Sequence, residues 1–309
     1  MAHADEYSPL LKVRKFADVE KMANAKLAAE PGNAGALVAK VRVILADGKE
    51  ARFDEGVALA EQCVAAHPKE STCHEMLGNM LGVKAQRASL FTAMGYVGKI
   101  KDSFKKAVEL DPDNFGARSS MLQFYLMAPS IAGGGKDKAR DFIAETAKVR
   151  PAFANLMQAA MDLSESNFDR AVATALAADL RGNEDMATQQ RNILNNAGHL
   201  YMEDRKYAEA ERAFRELMTR HAESWQGYYG MGKLLQEQGK AKDALPLLDK
   251  ALGINPVAGA HYRIGKCWQQ LGDKPKAIAA YEKALAFRPE LPKQAKGDAE
   301  EQLKALKKT

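Results

Sequence analysis

The chain has 309 residues, 46% hydrophobic and 28% charged, and its 45 basic and 40 acidic side chains leave a formal net charge of +5. Lys and Glu are interspersed, often four residues apart, as on solvated helix faces; a basic stripe with interleaved aromatics, the footprint of nucleic-acid binding, is missing. No apolar run reaches the ~18 residues of a membrane-spanning helix, and aromatics at only 7% beside abundant Ala point to closely approaching helices.

Ala2-His3-Ala4 ahead of Asp5-Glu6 has the form of an A-x-A cleavage site, although no charged or apolar segment precedes it. The expectation is a periplasmic or otherwise exported chain with its signal removed; a cytoplasmic chain is the alternative. The segment before Ser8-Pro9 reads as irregular. A helix follows over 13–29, with Phe16, Val19, Ala23 and Leu27 on one stripe, and Pro31-Gly32-Asn33 ends it. Helices over 34–46 and 53–66 flank the Asp47-Gly48 turn, and His67-Pro68 closes that pair. The next pair runs from Ser71 to Pro112 and is about ten residues too long, the surplus falling at 83–98 with Leu90, Phe91, Met94, Tyr96 and Val97. It reads as an extension of two helices beyond their neighbours. Helices over 117–127 and 137–149 are joined by a longer stretch ending in Gly133-Gly134-Gly135-Lys136, and 153–163 pairs with 168–180.

From residue 191 onward the chain repeats itself. Gly198, Gly232 and Gly265 form one column, Ala210, Ala244 and Ala277 a second, Phe214, Leu248 and Tyr281 a third, and Leu217, Ala251 and Ala284 a fourth; Ala222, Pro256 and Pro289 close the units. A period of 33–34 residues in an all-helical pattern means stacked helical hairpins, since one hairpin alone cannot bury its apolar face. Residues 293–307 form a last polar amphipathic helix with Ala299, Leu303 and Leu306 inward, a solubility cap for such a stack. The organisation predicted is one continuous solenoid: irregular hairpins over 1–190 with insertions near 83–98 and 129–136, three regular units over 191–291, and a cap over 292–309.

These columns resemble the tetratricopeptide repeat, whose pattern places a small residue at position eight, Ala at twenty, a large apolar residue at twenty-four, Ala at twenty-seven and Pro at thirty-two. Residues 225–257 and 258–291 match well; 191–224 departs at Leu217 and Ala222, and 37–70, 71–114, 115–151 and 152–184 match in part. The Ala128-Pro129-Ser130-Ile131-Ala132-Gly133-Gly134 loop resembles one found between repeats of some bacterial members. The resemblance implies an all-α fold, a right-handed α-α superhelix of seven to eight hairpins, with a groove lined by the first helices. Carried over by position, the groove residues are Asn195, Asn196 and His199, then Tyr229 and Lys233, then Tyr262, Arg263 and Lys266. Asn bonds peptide backbone, Lys and Arg pair with carboxylates, and Tyr adds stiff contact area. The expected partner is a protein or peptide, with acidic or C-terminal carboxylate groups, and no cofactor or nucleic acid. The family's clamp for chaperone tails fits poorly, because of the residues it requires only Arg263 is present.

Other motifs have plainer readings. Phe153, Leu156, Met157 and Ala160 make the upstream groove apolar and are read as packing against an inserted loop or neighbouring helix. The Gly133–Gly135 run lacks the strand and the Lys-Ser/Thr of a phosphate loop and reads as a flexible connection. Cys63 and Cys73 flank the His67-Pro68 turn and are read as two small buried side chains; a bridge is the alternative that an exported chain allows. Cys267 reads as packing. His67, Cys73 and His74 have no metal-ligand spacing, and no nucleophile elbow or carboxylate pair is present. The function expected is a non-enzymatic scaffold or adaptor with a peptide in its groove; self-association through the 83–98 extension or the apolar groove is the alternative.

Overall fold

The computed structural model describes residues 6–308, all of them in helices or the turns between them; the Ala2-His3-Ala4 motif lies outside the described residues. The helices pack as two compact units. The first runs as far as Ser164 and includes Ala178–Met186; the second comprises Glu165–Ala177 and everything from Ala187 onward. Regularity of sequence changes at 190/191, whereas packing divides the chain between 164 and 187.

The first unit holds α1 (Ser8–Lys12), α2 (Phe16–Ala29), α3 (Ala34–Asp47), α4 (Phe53–Ala66), α5 (Ser71–Arg87), α6 (Leu90–Leu110), α7 (Phe115–Met127), α8 (Lys136–Val149) and α9 (Pro151–Ser164). The short α1 forms where the sequence suggests irregular chain, because Pro9 sits in the first turn, where its missing N–H costs nothing. Asn33 and Asn114 cap α3 and α7 by accepting from the Ala36 and Ala117 amides at 3.0 and 2.8 Å. The 83–98 surplus does lengthen two adjacent helices, α5 and α6, which meet at a one-turn tip around Ser89.

The second unit holds α10 (Phe168–Ala177), α11 (Glu184–Glu203) from Ala187 on, α12 (Tyr207–Arg220), α13 (Trp225–Glu237), α14 (Ala241–Ile254), α15 (Ala258–Gln270), α16 (Lys274–Ala286) and α17 (Lys293–Lys308). Here the repeat columns acquire a physical meaning. A Cβ added to Gly198, Gly232 or Gly265 would come within 2.5, 2.7 and 2.8 Å of Phe214, Leu248 and Tyr281, so the small residue of each first helix is the seat of the large residue of its second helix. Those three large side chains and the two columns of Ala and Leu around them are fully buried. The same contact recurs in the first unit between Gly78 and Phe104, at 2.4 Å. The seat and its occupant are 16 residues apart in the regular units and 26 apart here, so the ten extra residues lie between them and leave the contact intact.

Two sequence expectations change. Cys63 and Cys73 are bridged, with Cα atoms 5.3 Å apart, where two separate buried thiols are expected from sequence. The His67-Pro68 turn folds the end of α4 against the start of α5 and sets both Cα atoms within disulfide reach. The 129–136 connection is not a slack loop. Ser130–Ala132 form a 3-10 turn, Gly134 donates to the Pro129 carbonyl and Gly135 to that of Tyr125. Gly133 and Gly135 take φ of +87° and +126°, and a Cβ at Gly134 would fall 1.9 Å from the Ala128 carbonyl oxygen, so the glycines are what let this turn close. Cys267 is a buried free thiol pushed up to about 11 by burial, as packing requires. Phe153, Leu156 and Met157 are buried, with the Phe153 ring edge-on to Phe115 at 5.2 Å, in accord with the packing role read for them.

Candidate functional site

All eight residues assigned to the groove belong to the second unit, on α11, α13 and α15, the first helices of the three regular hairpins. They do not share one environment. Asn195 and Asn196 bond each other weakly at 3.4 Å on the open surface of α11. One turn further, His199 is wedged between the rings of Phe214 and Tyr229, with centroids 5.2 and 6.3 Å away. Its Nδ1 is buried with no hydrogen-bond partner. Burial, reinforced by the charges of Lys233 and Arg263, pushes the imidazole down to about 4, so it is neutral at physiological pH.

The Tyr229 ring lies tilted at 60° against Trp225, with centroids 5.7 Å apart, and its hydroxyl lies where a Cβ at Gly259 would come within 2.8 Å, so Gly259 is the space into which this phenol reaches. Lys233, one turn along α13, is half-buried and has no ion-pair or hydrogen-bond partner among the described residues. Burial and then Arg263 hold its ammonium below its ordinary value, with Glu237 and Glu203 opposing.

On α15 the polar groups already have partners within the chain. Arg263 donates through Nη1 to Glu237 at 2.9 Å and to the Gln236 side chain at 2.8 Å, while its Nε is buried and unpartnered. Tyr262 donates to Asp298 of α17 at 2.5 Å, and Lys266 donates to the same Oδ2 and to the Tyr262 hydroxyl, both at 3.1 Å. Burial pulls the Lys266 ammonium down, but the bonds to Tyr262 and Asp298 prevail and hold it above its ordinary value. Gln269 is likewise bonded to Gln302 of α17 at 2.7 Å. The cap helix therefore engages the third hairpin through Tyr262, Lys266 and Gln269. That engagement depends on Asp298 and Gln302, whose role the amphipathic pattern of the last helix does not reveal.

The arrangement left open is centred on Lys233: an unpaired ammonium beside a neutral imidazole with an unsatisfied nitrogen and a guanidinium Nε with an unmet donor, framed by Tyr229 and Trp225. No group of three or more potential metal ligands occurs among the described residues.

A family model described as Tetratricopeptide repeat matches residues 195–258 and 229–292, and a second of the same description matches 82–114. Among solved structures, yeast Tom70 superposes on 95% of this chain and 59% of its own, with a TM-score of 0.63 and 15% identity. The APC/C hetero-tetramer Cut9-Hcn1 gives 94% and 52% coverage, TM-score 0.48 and 16% identity. A tetratricopeptide repeat protein from Parabacteroides merdae gives 99% and 100%, with TM-score 0.43 and 16% identity. The chain thus spans less than two thirds of the first two, and at these identities the likeness, carried by the Tom70 superposition, is one of fold alone. No curated protein matches it in sequence.

Proposed function

Because the chain is a tetratricopeptide-repeat protein, with repeats matched across residues 82–114 and 195–292, we propose that it is a non-enzymatic scaffold or adaptor that holds a peptide or protein segment against α11, α13 and α15. Stacked helical hairpins offer extended surfaces suited to this. The observation that carries the reading is the half-buried Lys233 without an anion, beside the unsatisfied Nδ1 of His199. Buried polar groups are normally paired, and a carboxylate at this place would pair the ammonium. Asn195 and Asn196 then supply hydrogen bonds to the backbone of the segment, and Tyr229 and Trp225 supply contact area. Arg263 contributes mainly field, since Glu237 already holds one edge of its guanidinium, and Tyr262 and Lys266 act chiefly by seating α17.

The test uses fluorescent Asp- and Glu-rich peptides, made with a free or an amidated C-terminus, and reads anisotropy. Lys233→Glu should weaken binding at least about tenfold, as loss of a half-buried charge partner does, with an unchanged helical circular dichroism spectrum. Equal affinity of the wild-type chain and this variant would remove the assigned face. Discrimination between free and amidated ends tells a terminal carboxylate from a side-chain one. The periplasmic or exported location is proposed on a second ground, the Cys63–Cys73 bridge, because disulfides persist in oxidising compartments.

A further inference from the structure

A cavity lies in the first unit, away from the Lys233 face. It has about 440 Å3 of room between α5, α6 and α7, and is walled by Val83, Val97, Ile100, Phe104, Phe124 and Met127. That is the size of a small-molecule or acyl-chain site. Beside it the α5–α6 tip holds Leu90 and Phe91 out at 77% and 92% exposure, and Met94, Met127 and Ile131 are exposed nearby. Gln86 Nε2 lies 4.0 Å from Met127 Sδ, which joins the tip to the end of α7. Apolar surface of this extent on one edge marks an interaction site.

The charge around it narrows the partner. Neither 76–101 nor 115–136 contains an Asp or Glu, yet they carry Lys84, Arg87, Lys99, Lys101 and Lys136 besides the buried Arg118. Lys84 and Lys99 are paired with Asp54 and Glu61 from α4. Arg87 and Lys101 have no ion-pair partner among the described residues. A two-fold contact between copies would set Arg87 and Lys101 against their counterparts with no carboxylate in either segment to offset them. Part of the tip's backbone bonding is closed within the turn. Ala88 N–H donates to the Lys84 carbonyl at 3.1 Å, Ala93 N–H to that of Ser89 at 2.8 Å, and Thr92 N–H to the Ser89 hydroxyl at 3.3 Å. Among the described residues no helix is long and apolar enough to cross a membrane, so the contact is superficial.

We propose that this edge of the first unit docks on an anionic lipid bilayer. Leu90 and Phe91 enter the boundary between headgroups and acyl chains, Arg87 and Lys101 meet headgroup phosphates, and the cavity behind them admits the end of an acyl chain. The experiment is flotation of the full chain with vesicles of phosphatidylcholine alone and of phosphatidylcholine mixed with phosphatidylglycerol. The wild-type chain should float with the mixed vesicles and far less with phosphatidylcholine. The Leu90→Ser/Phe91→Ser double variant should lose about tenfold or more in partitioning, from the apolar area withdrawn. Arg87→Gln/Lys101→Gln should weaken flotation and flatten its salt dependence. Both pairs change exposed or rim side chains, and circular dichroism checks that the fold is kept. The proposal falls if the wild-type chain stays in solution with the mixed vesicles, or if the apolar double variant floats as well as wild type. It also falls if sedimentation shows a dimer that this variant dissociates, or if a free fatty acid binds the cavity while vesicles do not.

Discussion

Removing the charge of Glu75 should stabilise the first unit above neutral pH and flatten its pH profile. Glu75 lies on α5 and is only 9% exposed. Its Oε2 accepts from Asn114 Nδ2 at 3.0 Å, Asn79 of its own helix bonds it as well, and Arg42 of α3 attracts it, while Asp185, from the 178–186 segment, repels it. Burial dominates, and the carboxyl is pushed up to about 7 from an ordinary 4.5. Because the folded pKa is the higher one, the folded state binds the extra proton. The associated stability is complete below about pH 4.5 and is lost as pH rises through 7. A displacement of this size corresponds to at most about 3 kcal/mol. Glu75→Gln keeps an acceptor for Asn114 and cannot ionise. At pH 8 it should therefore unfold several degrees above wild type, on the scale of about 2–4 °C per kcal/mol for a body of this size, and the difference should shrink steadily as pH falls towards 5. The assay is thermal unfolding of both proteins across pH 5–8 by circular dichroism, read as a difference. That subtraction cancels His199 and His261, whose lowered values tilt the profile the other way. A variant less stable than wild type at pH 8, with the same pH dependence, would refute the burial of a reluctant charge.

Two further outcomes follow from packing and covalent structure. Gly230→Ala places a Cβ 2.2 Å from the ring of the fully buried Phe214, and overpacking of this kind should cost about 1–3 kcal/mol in chemical denaturation; an unchanged midpoint would mean that Phe214 has room to move. Cys63→Ser/Cys73→Ser opens a bridge between residues ten apart, which loop-closure entropy values at about 2.7 kcal/mol. Correspondingly, the chain denatured without reductant should expose one thiol, that of Cys267, and three titrating thiols would contradict the bridge.

Much of the fold was legible because its rule is local and repeated. A small residue at Gly198, Gly232 and Gly265, with a large one sixteen positions on, states a helix crossing three times over, and the crossing at Gly78 and Phe104 survives a ten-residue insertion. The extension at 83–98 was visible as a phase shift for the same reason. The candidate site was legible only as a set of positions. Periodicity puts Lys233, Arg263 and Lys266 on first helices alike, but which cation retains a free valence depends on Glu237, a turn beyond Lys233, and on Asp298, 32 residues after Lys266. No pattern in the sequence links those pairs.

What the amino-acid order determined by itself is the hairpin: its length, its turns, its small-to-large contact and the number of times it recurs, all of which act over one period of chain. Tertiary structure alone decided the rest. It paired Cys63 with Cys73 through a turn geometry and tightened the glycine connection around the Tyr125 and Pro129 carbonyls. It also committed Tyr262 and Lys266 to the cap while leaving Lys233 without an anion. Repetition can be counted along a chain, whereas the satisfaction of a charge or the burial of a polar atom depends on which distant side chain arrives beside it.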